Sequence, residues 1–163
     1  MLGTIGAMTK TDPPVITVDC GTAVTVNAVD EDHHFLGGVV FAGISTQLFG
    51  LAKQTAAIPE MKYTPPTTHI GINTVQCLMA GITASVVGGV QQTIDAFVAK
   101  TFKKKSAPIV VSGGESQQVV DALLDRGYNV IYHQHMVTDG ILVLLAGAKN
   151  VDLQDAIIGK ILS

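Results

Sequence analysis

The amino-terminal quarter of the chain predicts a short helix followed by three strands. Residues 1–8 are small and apolar, and the Asp-Pro-Pro sequence that begins at Asp12 ends any helix there. β-Branched residues and alternating apolar positions then favour strands, which we place at Val15–Asp19, Thr22–Asp30 and His34–Phe41. The polar residues 30–34 predict a hairpin turn between the second and third strands.

The remaining two thirds of the chain change between helical and strand patterns. Apolar residues recur at helical spacing from Ile44 to Thr55, and a longer helical region covers about residues 73–102. After it, the pattern predicts a strand at 108–112, a helix at 115–126, a strand at 129–132, an apolar segment at 141–148 and a last helix at 152–162. This order predicts a single α/β domain over residues 1–163 with a mixed β-sheet.

The composition suggests that another subunit covers part of the surface. Hydrophobic residues make up 47 % of the chain and charged residues 14 %, against a usual charged share of about 25 %. Within the long helical region, Gly81, Ser85 and Gly89 recur at a spacing of four, which places three small side chains on one helix face. We expect this face to pack against a second chain, in a homo- or hetero-oligomer.

Charge and cysteine content exclude several classes of partner. The net charge of −3 argues against nucleic acid, which usually needs a basic face. Neither Cys20 nor Cys77 belongs to a CxxC pair, so no zinc motif is present. No signal peptide is expected at the amino terminus, and no apolar run approaches the roughly 18 residues of a membrane span. The sequence therefore predicts a cytoplasmic protein that has no membrane partner.

Two glycine turns are candidates for binding phosphate. In DCGTAVT (residues 19–25), Gly21 lets the backbone approach an anion, the Thr22 hydroxyl can donate to it, and Asp19 can hold a cation. An ordinary hairpin with a capping aspartate explains the same segment equally well. In SGGE (residues 112–115), Gly113 and Gly114 lie between a strand and a helix, which suits an anion, although many crossovers contain such a turn.

Other polar residues carry weaker signals. His133 and His135 could share a metal, but a surface or interface position is the simpler interpretation. Cys20 is expected to be a small buried residue and Cys77 to face the core from a helix. Tyr63 is a candidate pocket residue.

A series of motifs resembles the type III pantothenate kinases, including relatives named Bvg accessory factors. The motifs are DCGTAVTV, GGVVFAGISTQL, QTAAIPEM, GINTVQCLMAGI, VVSGGES and VTDGILVLLAG, and the resemblance covers about residues 2–148. It implies a ribonuclease-H-like fold of the actin-like ATPase and sugar kinase superfamily. It also implies ATP-dependent phosphorylation of pantothenate, the first step of coenzyme A synthesis, by an oligomer that needs potassium or ammonium.

The resemblance assigns expected roles residue by residue. Asp19 would hold the monovalent cation, Gly21 and Thr22 would contact ATP, and Thr74 would contact pantothenate. Gly113 and Gly114 would lie near the nucleotide.

Only the carboxy-terminal half of the family pattern is present in this sequence. The absent half includes the first phosphate loop and the aspartate that acts as general base, and two family positions differ here, at Ala42 and Ile72. The resemblance therefore implies that this chain holds no catalytic base and is inactive alone. Three explanations stay open: a split-kinase subunit completed by a second polypeptide, a non-catalytic binding or regulatory protein on the same half-fold, or a fragment of a longer enzyme.

Overall fold

The computed structural model describes residues 1–100, 102 and 107–147. The helices in this part of the chain are α1 (Leu2–Ala7), α2 (Ile44–Gln54), α3 (Thr74–Lys100), α4 (Gln117–Asp125) and α5 (Met136–Gly147). The strands are β1 (Val15–Cys20), β2 (Ala23–Val29), β3 (Phe35–Ala42), β4 (Ile109–Ser112) and β5 (Val130–Tyr132). The predicted elements up to residue 132 are confirmed, with bounds that differ by a few residues.

Residues 141–147 of the apolar segment predicted at 141–148 form the second half of helix α5, which begins at Met136. Asp139 and Gly140 lie inside this helix and do not open the segment as a turn. The helix tolerates Gly140 because α1 packs directly against its backbone. The last predicted helix, at 152–162, lies outside the described residues.

The five strands form one mixed sheet, as the sequence predicts, and their order in it is β3-β2-β1-β4-β5. β1 pairs antiparallel with β2, and β2 pairs antiparallel with β3. β1 also pairs parallel with β4, which pairs parallel with β5. In this register Asp19, near the end of β1, lies between Thr25 of β2 and Ser112 of β4.

Alternation along β1 divides the core between the two faces of the sheet. Ile16, Val18 and Cys20 are fully buried in the larger cluster, to which α3 contributes Val86, Val90 and Ile94 among others. Val15 faces the opposite way and packs with Ala7 of α1 and Met136 of α5. Because side chains alternate along a strand, Thr17 and Asp19 share the face of Val15. The helices α1 and α5 therefore cover the face on which Asp19 lies.

Helix α3 is close to its predicted length but more apolar than expected. Its 27 residues, Thr74–Lys100, could cross a membrane by length and composition alone. Seven of them, including Ile82, Val86 and Val90, are nevertheless buried inside the protein. Core helices of soluble proteins show the same pattern, so α3 gives no positive indication of a membrane.

Two of the three positions of the small-residue face make contacts within this chain, and the contact of this face with a second chain stays a prediction. The Ser85 hydroxyl donates to Gln47 Oε1 of α2 at 2.7 Å, within the same chain. A Cβ on Gly89 would lie 3.2 Å from the ring of Phe41 in β3. These small residues let α3 approach β3 and α2, while Gly81 faces open space.

Candidate functional site

The two glycine turns lie side by side at one edge of the sheet. β1 and β4 are parallel neighbours, so the turns that follow them emerge at the same edge. The Glu115 amide donates to the carbonyl of Cys20 at 3.1 Å, which ties the second turn to the end of β1. In open sheets, ligands bind outside the carboxyl ends of the parallel strands. The two segments singled out from the sequence therefore form one candidate site.

Gly113 is required by this close approach. Its φ is +102°, a conformation that side chains other than glycine rarely adopt. A Cβ there would lie 2.2 Å from the carbonyl oxygen of Cys20. At Gly114, by contrast, a Cβ would meet no atom within 4 Å. The turn is therefore packed against β1 at its first glycine and open at its second, where a ligand can reach the main chain.

The first turn of α2 forms the third side of the same site. The Gly43 amide donates to the carbonyl of Thr22 at 2.9 Å, and the Thr46 hydroxyl donates to the same oxygen at 2.6 Å. These two bonds fix the backbone at Thr22 while its side chain stays exposed. The hydroxyl of Thr22 is therefore held at the surface of the site, available to a ligand.

Glu115 joins the turn after β4 to the start of α2. Its carboxylate accepts from the Ser45 amide at 3.2 Å and also from the Ser45 hydroxyl. A carboxylate at a helix amino terminus satisfies amides that have no partner inside the helix. The sequence does not indicate this role of Glu115, because Glu115 and Ser45 are 70 positions apart and no local pattern links them.

Asp19 lies in a cleft on the other face of the sheet. The cleft has a volume of about 330 Å³ and is lined by Thr17, Thr25, Asn27, Met136 and Val137, among others. Burial raises the pKa of the Asp19 carboxyl above its ordinary value, an effect partly offset by the Met1 amino group. Within the described part of the chain, no protein hydrogen bond reaches this carboxylate. The pKa of Asp19 is therefore raised because the carboxyl is removed from water and has, among the described residues, no hydrogen-bonding partner that would stabilise its charged form.

The residues around Asp19 fit a hard cation. The carboxylate, two threonine hydroxyls and the Asn27 amide line one cleft and offer oxygen ligands, which such cations prefer. A bound cation would also offset the cost of burying the Asp19 charge.

Thr74 lies in a separate groove, between α2 and the start of α3. This groove has a volume of about 750 Å³ and includes Gln47, Asn73, Thr74 and Ser85. The Gln47 side chain donates to the carbonyl of Ala42 at 2.8 Å and accepts from Ser85. Helix α2 therefore contacts both sites: its Gln47 borders the groove, and its first residues contact the glycine turns. Thr74 and Asp19 do not share a cleft in the described structure.

Cys77 also lines this groove and is exposed, so the prediction that it faces the core is wrong. It lies on the side of α3 that turns toward α2 and solvent. Cys20 is fully buried, as predicted. Tyr63 lines a smaller cavity of about 450 Å³, and its hydroxyl lies 2.7 Å from that of Thr83.

The prediction of a surface or interface position for the histidine pair is wrong at His133, which is buried within this chain. β5 ends at Tyr132, so His133 and His135 belong to a turn and do not share a strand face. The His133 ring is buried, and its Nε2 lies 3.0 Å from Asp139 Oδ2 in the first turn of α5. This pair connects β5 with α5 and offers no metal site. His135 is exposed.

Two kinds of comparison point to the same enzyme family. A family model matches the amino-terminal part of the chain, and pairwise comparisons with single proteins match most of its length. A family model for type III pantothenate kinase matches residues 1–96. A type III pantothenate kinase of Bifidobacterium animalis subsp. lactis is 36 % identical over 139 residues, which cover 80 % of this chain and 54 % of that relative. The Paracoccus denitrificans enzyme is 32 % identical over 130 residues, 80 % of this chain and 48 % of its own. The chain thus spans about half the length of the curated relatives it matches.

Solved structures agree on the fold. A Baf family protein from Campylobacter jejuni, described as a putative transcriptional activator, superposes with a TM-score of 0.61 at 16 % identity. The match covers 91 % of this chain and 65 % of that one. An activator of 2-hydroxyisocaproyl-CoA dehydratase from Clostridium difficile, solved with ADPNP, gives a TM-score of 0.52 at 14 % identity, covering 85 % of this chain and 62 % of its own. The fold is thus that of the actin-like ATPases, as expected. The family match over residues 1–96 shows that the chain belongs to the type III pantothenate kinase family.

Proposed function

We propose that this chain is one lobe of an ATP-dependent pantothenate kinase and that a second lobe, on another polypeptide or another segment, completes it. The observation that carries the proposal is the convergence of the Gly21–Thr22 turn, the Gly113–Gly114 turn and the start of α2 at one edge of the sheet. This arrangement offers main-chain groups and the Thr22 hydroxyl to the phosphates of ATP. Relatives that are 36 % and 32 % identical to this chain bear the name of this enzyme.

The groove at Thr74 would hold pantothenate. The groove runs beside α2, whose first residues contact the proposed nucleotide turns. The Thr74 side chain is exposed there and can hydrogen-bond a hydroxyl or amide of the acceptor. Positioning both substrates along the same helix would supply the proximity that phosphoryl transfer mainly requires.

Asp19 would hold a monovalent cation, potassium or ammonium. When bound, such a cation would supply positive charge near the ends of β1 and β4. The protein's part is to present the Asp19 carboxylate and the neighbouring oxygens of the same cleft. The raised pKa of Asp19 supports this assignment, because the carboxylate is desolvated and has no hydrogen-bonding partner in the described structure.

The general base would come from the second lobe. The two carboxylates nearest the glycine turns in the described structure are Asp19 and Glu115. Asp19 faces the side of the sheet covered by α1 and α5, and the Glu115 carboxylate is engaged by Ser45. Deprotonation of an acceptor hydroxyl needs a base within hydrogen-bond reach of it. We therefore expect this lobe to bind and orient substrates in the cytoplasm, within an oligomer, and to be inactive alone.

The test uses the complementing polypeptide, defined as the part of the Bifidobacterium animalis kinase that this chain does not match. In the mixture, Thr74→Val should raise the KM for pantothenate by about tenfold, because it removes one hydrogen bond to that substrate. Thr22→Val should raise the KM for ATP by a similar factor. The control is Thr67→Val, because Thr67 is exposed and is assigned no contact with either ATP or pantothenate. Equal effects of both variants on both substrates would contradict the assignment.

A further inference from the structure

Helix α5 carries an apolar surface that nothing in the described structure covers. Ile141, Leu142 and Leu145 are 40 %, 57 % and 62 % exposed. They are close together on the helix, since residues three and four apart lie on the same face. We refer to these three residues as the outer face of α5. Asp139 is the only ionisable residue between Met136 and Gly147.

The packing of α1 fixes which side of α5 is left uncovered. Met136 and Gly140 are the buried residues of α5, and both lie against the backbone of α1. The outer face points away from this contact because Leu142 lies about half a helical turn from Gly140. Large apolar side chains grouped on an uncharged surface indicate a site of protein interaction.

The position of the outer face relates it to the proposed active site. The cleft that contains Asp19 is lined by Leu2 and Gly3 of α1 and by Met136 and Val137 of α5. Helix α5 thus contributes both to the wall of the Asp19 cleft and to the outer face. Val137, which lines the cleft, and Ile141 of the outer face are four residues apart and therefore lie on the same side of α5.

We propose that the outer face of α5 is the docking surface for the half of the curated relatives that this chain does not match. This inference rests on the proposed function. The chain spans about half of each relative, so the occupant is a polypeptide of comparable size. Its contact surface is expected to be apolar and uncharged, to match Ile141, Leu142 and Leu145.

The test compares two arginine substitutions on α5 with one on α4. The double variant Leu142→Arg/Leu145→Arg changes side chains that are more than half exposed, so the fold should persist. Leu124→Arg, on α4 on the other face of the sheet, is the control because Leu124 is 52 % exposed. Binding of the full chain to the complementing polypeptide is measured by titration calorimetry, and amide exchange is followed at residues 141–147.

If the outer face is the docking surface, the double variant should bind the complementing polypeptide at least about tenfold more weakly than the wild-type chain does. Leu124→Arg should bind like wild type, and exchange at 141–147 should slow only in complexes that form. Undiminished binding by the double variant, or no binding by the wild-type chain, would overturn the proposal. The proposal would also be overturned if amide exchange at residues 141–147 is already slow in the chain alone. Sedimentation that shows self-association of the wild-type chain, lost in the double variant, would overturn it as well.

Failure of the docking surface and failure of the proposed function give different results. A complex that depends on Leu142 and Leu145 but releases no ADP with pantothenate supports the surface and contradicts the kinase. A complex that is active but insensitive to the double variant supports the kinase and overturns the surface.

Discussion

The backbone of Gly6 in α1 lies directly against the backbone of Gly140 in α5. A Cβ on Gly140 would lie 2.0 Å from the carbonyl oxygen of Leu2, and one on Gly6 would lie 1.7 Å from that of Met136. The two helices can cross at this distance only because both positions lack a side chain. The contact places Met136 of α5 and Leu2 of α1 together at the cleft of Asp19.

Gly140→Ala should therefore lower the stability of the chain. The methyl group would force two main chains apart, and overpacking of this kind costs about 1–3 kcal/mol. The control is Gly88→Ala in α3, where a Cβ meets nothing within 4 Å. That change should stabilise the protein by up to about 1 kcal/mol, since alanine is the better helix former. Both free energies of unfolding come from urea titration, and equal effects of the two substitutions would contradict the close crossing.

Glu115→Ala should loosen the attachment of the second glycine turn to α2. The substitution removes the acceptor of the Ser45 amide and hydroxyl, at a cost of about 1–2 kcal/mol for two partly exposed bonds. Glu115→Gln keeps an acceptor oxygen and should lose less. The control is Glu60→Ala, which removes an exposed ion pair with Lys53 and should change stability by at most about 1 kcal/mol. A larger loss for the Glu60 variant in thermal unfolding would argue against the connection at Glu115.

The two cysteines should differ sharply in reactivity. Burial, with the charges of Asp19 and Glu115, raises the pKa of the Cys20 thiol to about 12, and Cys77 is exposed. Only thiolates react with disulfide reagents, so one thiol per native chain should react quickly and the second only after unfolding. Cys77→Ser should abolish the fast reaction. Persistence of a fast thiol in that variant would show that the end of β1 is open to solvent.

The same thiol gives a pH dependence of stability. The ordinary pKa of cysteine is 9.0 and the folded value is about 12, so the fold favours the neutral form. The contribution of Cys20 is complete below about pH 9 and declines as the pH rises toward 12. Cys20→Ala should flatten the fall in melting temperature over this range. An unchanged slope in that variant would assign the alkaline loss to other groups.

Potassium should stabilise the chain through Asp19. Burial raises the pKa of this carboxyl, so its contribution to stability is present in acid and is lost as the pH rises through the folded pKa. At neutral pH the charged form therefore destabilises the fold until a cation compensates it. Potassium chloride should raise the melting temperature relative to choline chloride at equal ionic strength. Asp19→Asn should remove this difference, and an equal potassium effect in that variant would place the cation elsewhere.

The order of elements could be predicted from sequence because its signals are local. Alternation predicts β1 and β2, and the turn at 30–34 is confirmed by two amides that donate to Asp30 Oδ1. The first half of α5 was missed because Asp139-Gly140 is typical of a turn. The contact that makes Gly140 suitable for a helix comes from α1, more than a hundred residues earlier in the chain.

The candidate site could be predicted in its residues but not in its connections. The glycine turns stood out because Gly21, Gly113 and Gly114 follow strands, and parallel pairing of β1 with β4 brings them together. The Glu115–Ser45 connection and the burial of His133 beside Asp139 depend on packing between distant segments. Sequence patterns report the period of one element and not which element will lie against it.

Release of ADP tests the central claim most directly. The chain, the complementing polypeptide and their mixture are each assayed with ATP, with and without pantothenate, in potassium and in choline. If the chain is a kinase lobe, ADP is released only from the mixture, and only when pantothenate and potassium are both present. A mixture that forms a complex but shows no pantothenate-dependent release would contradict the claim and favour a non-catalytic binding protein.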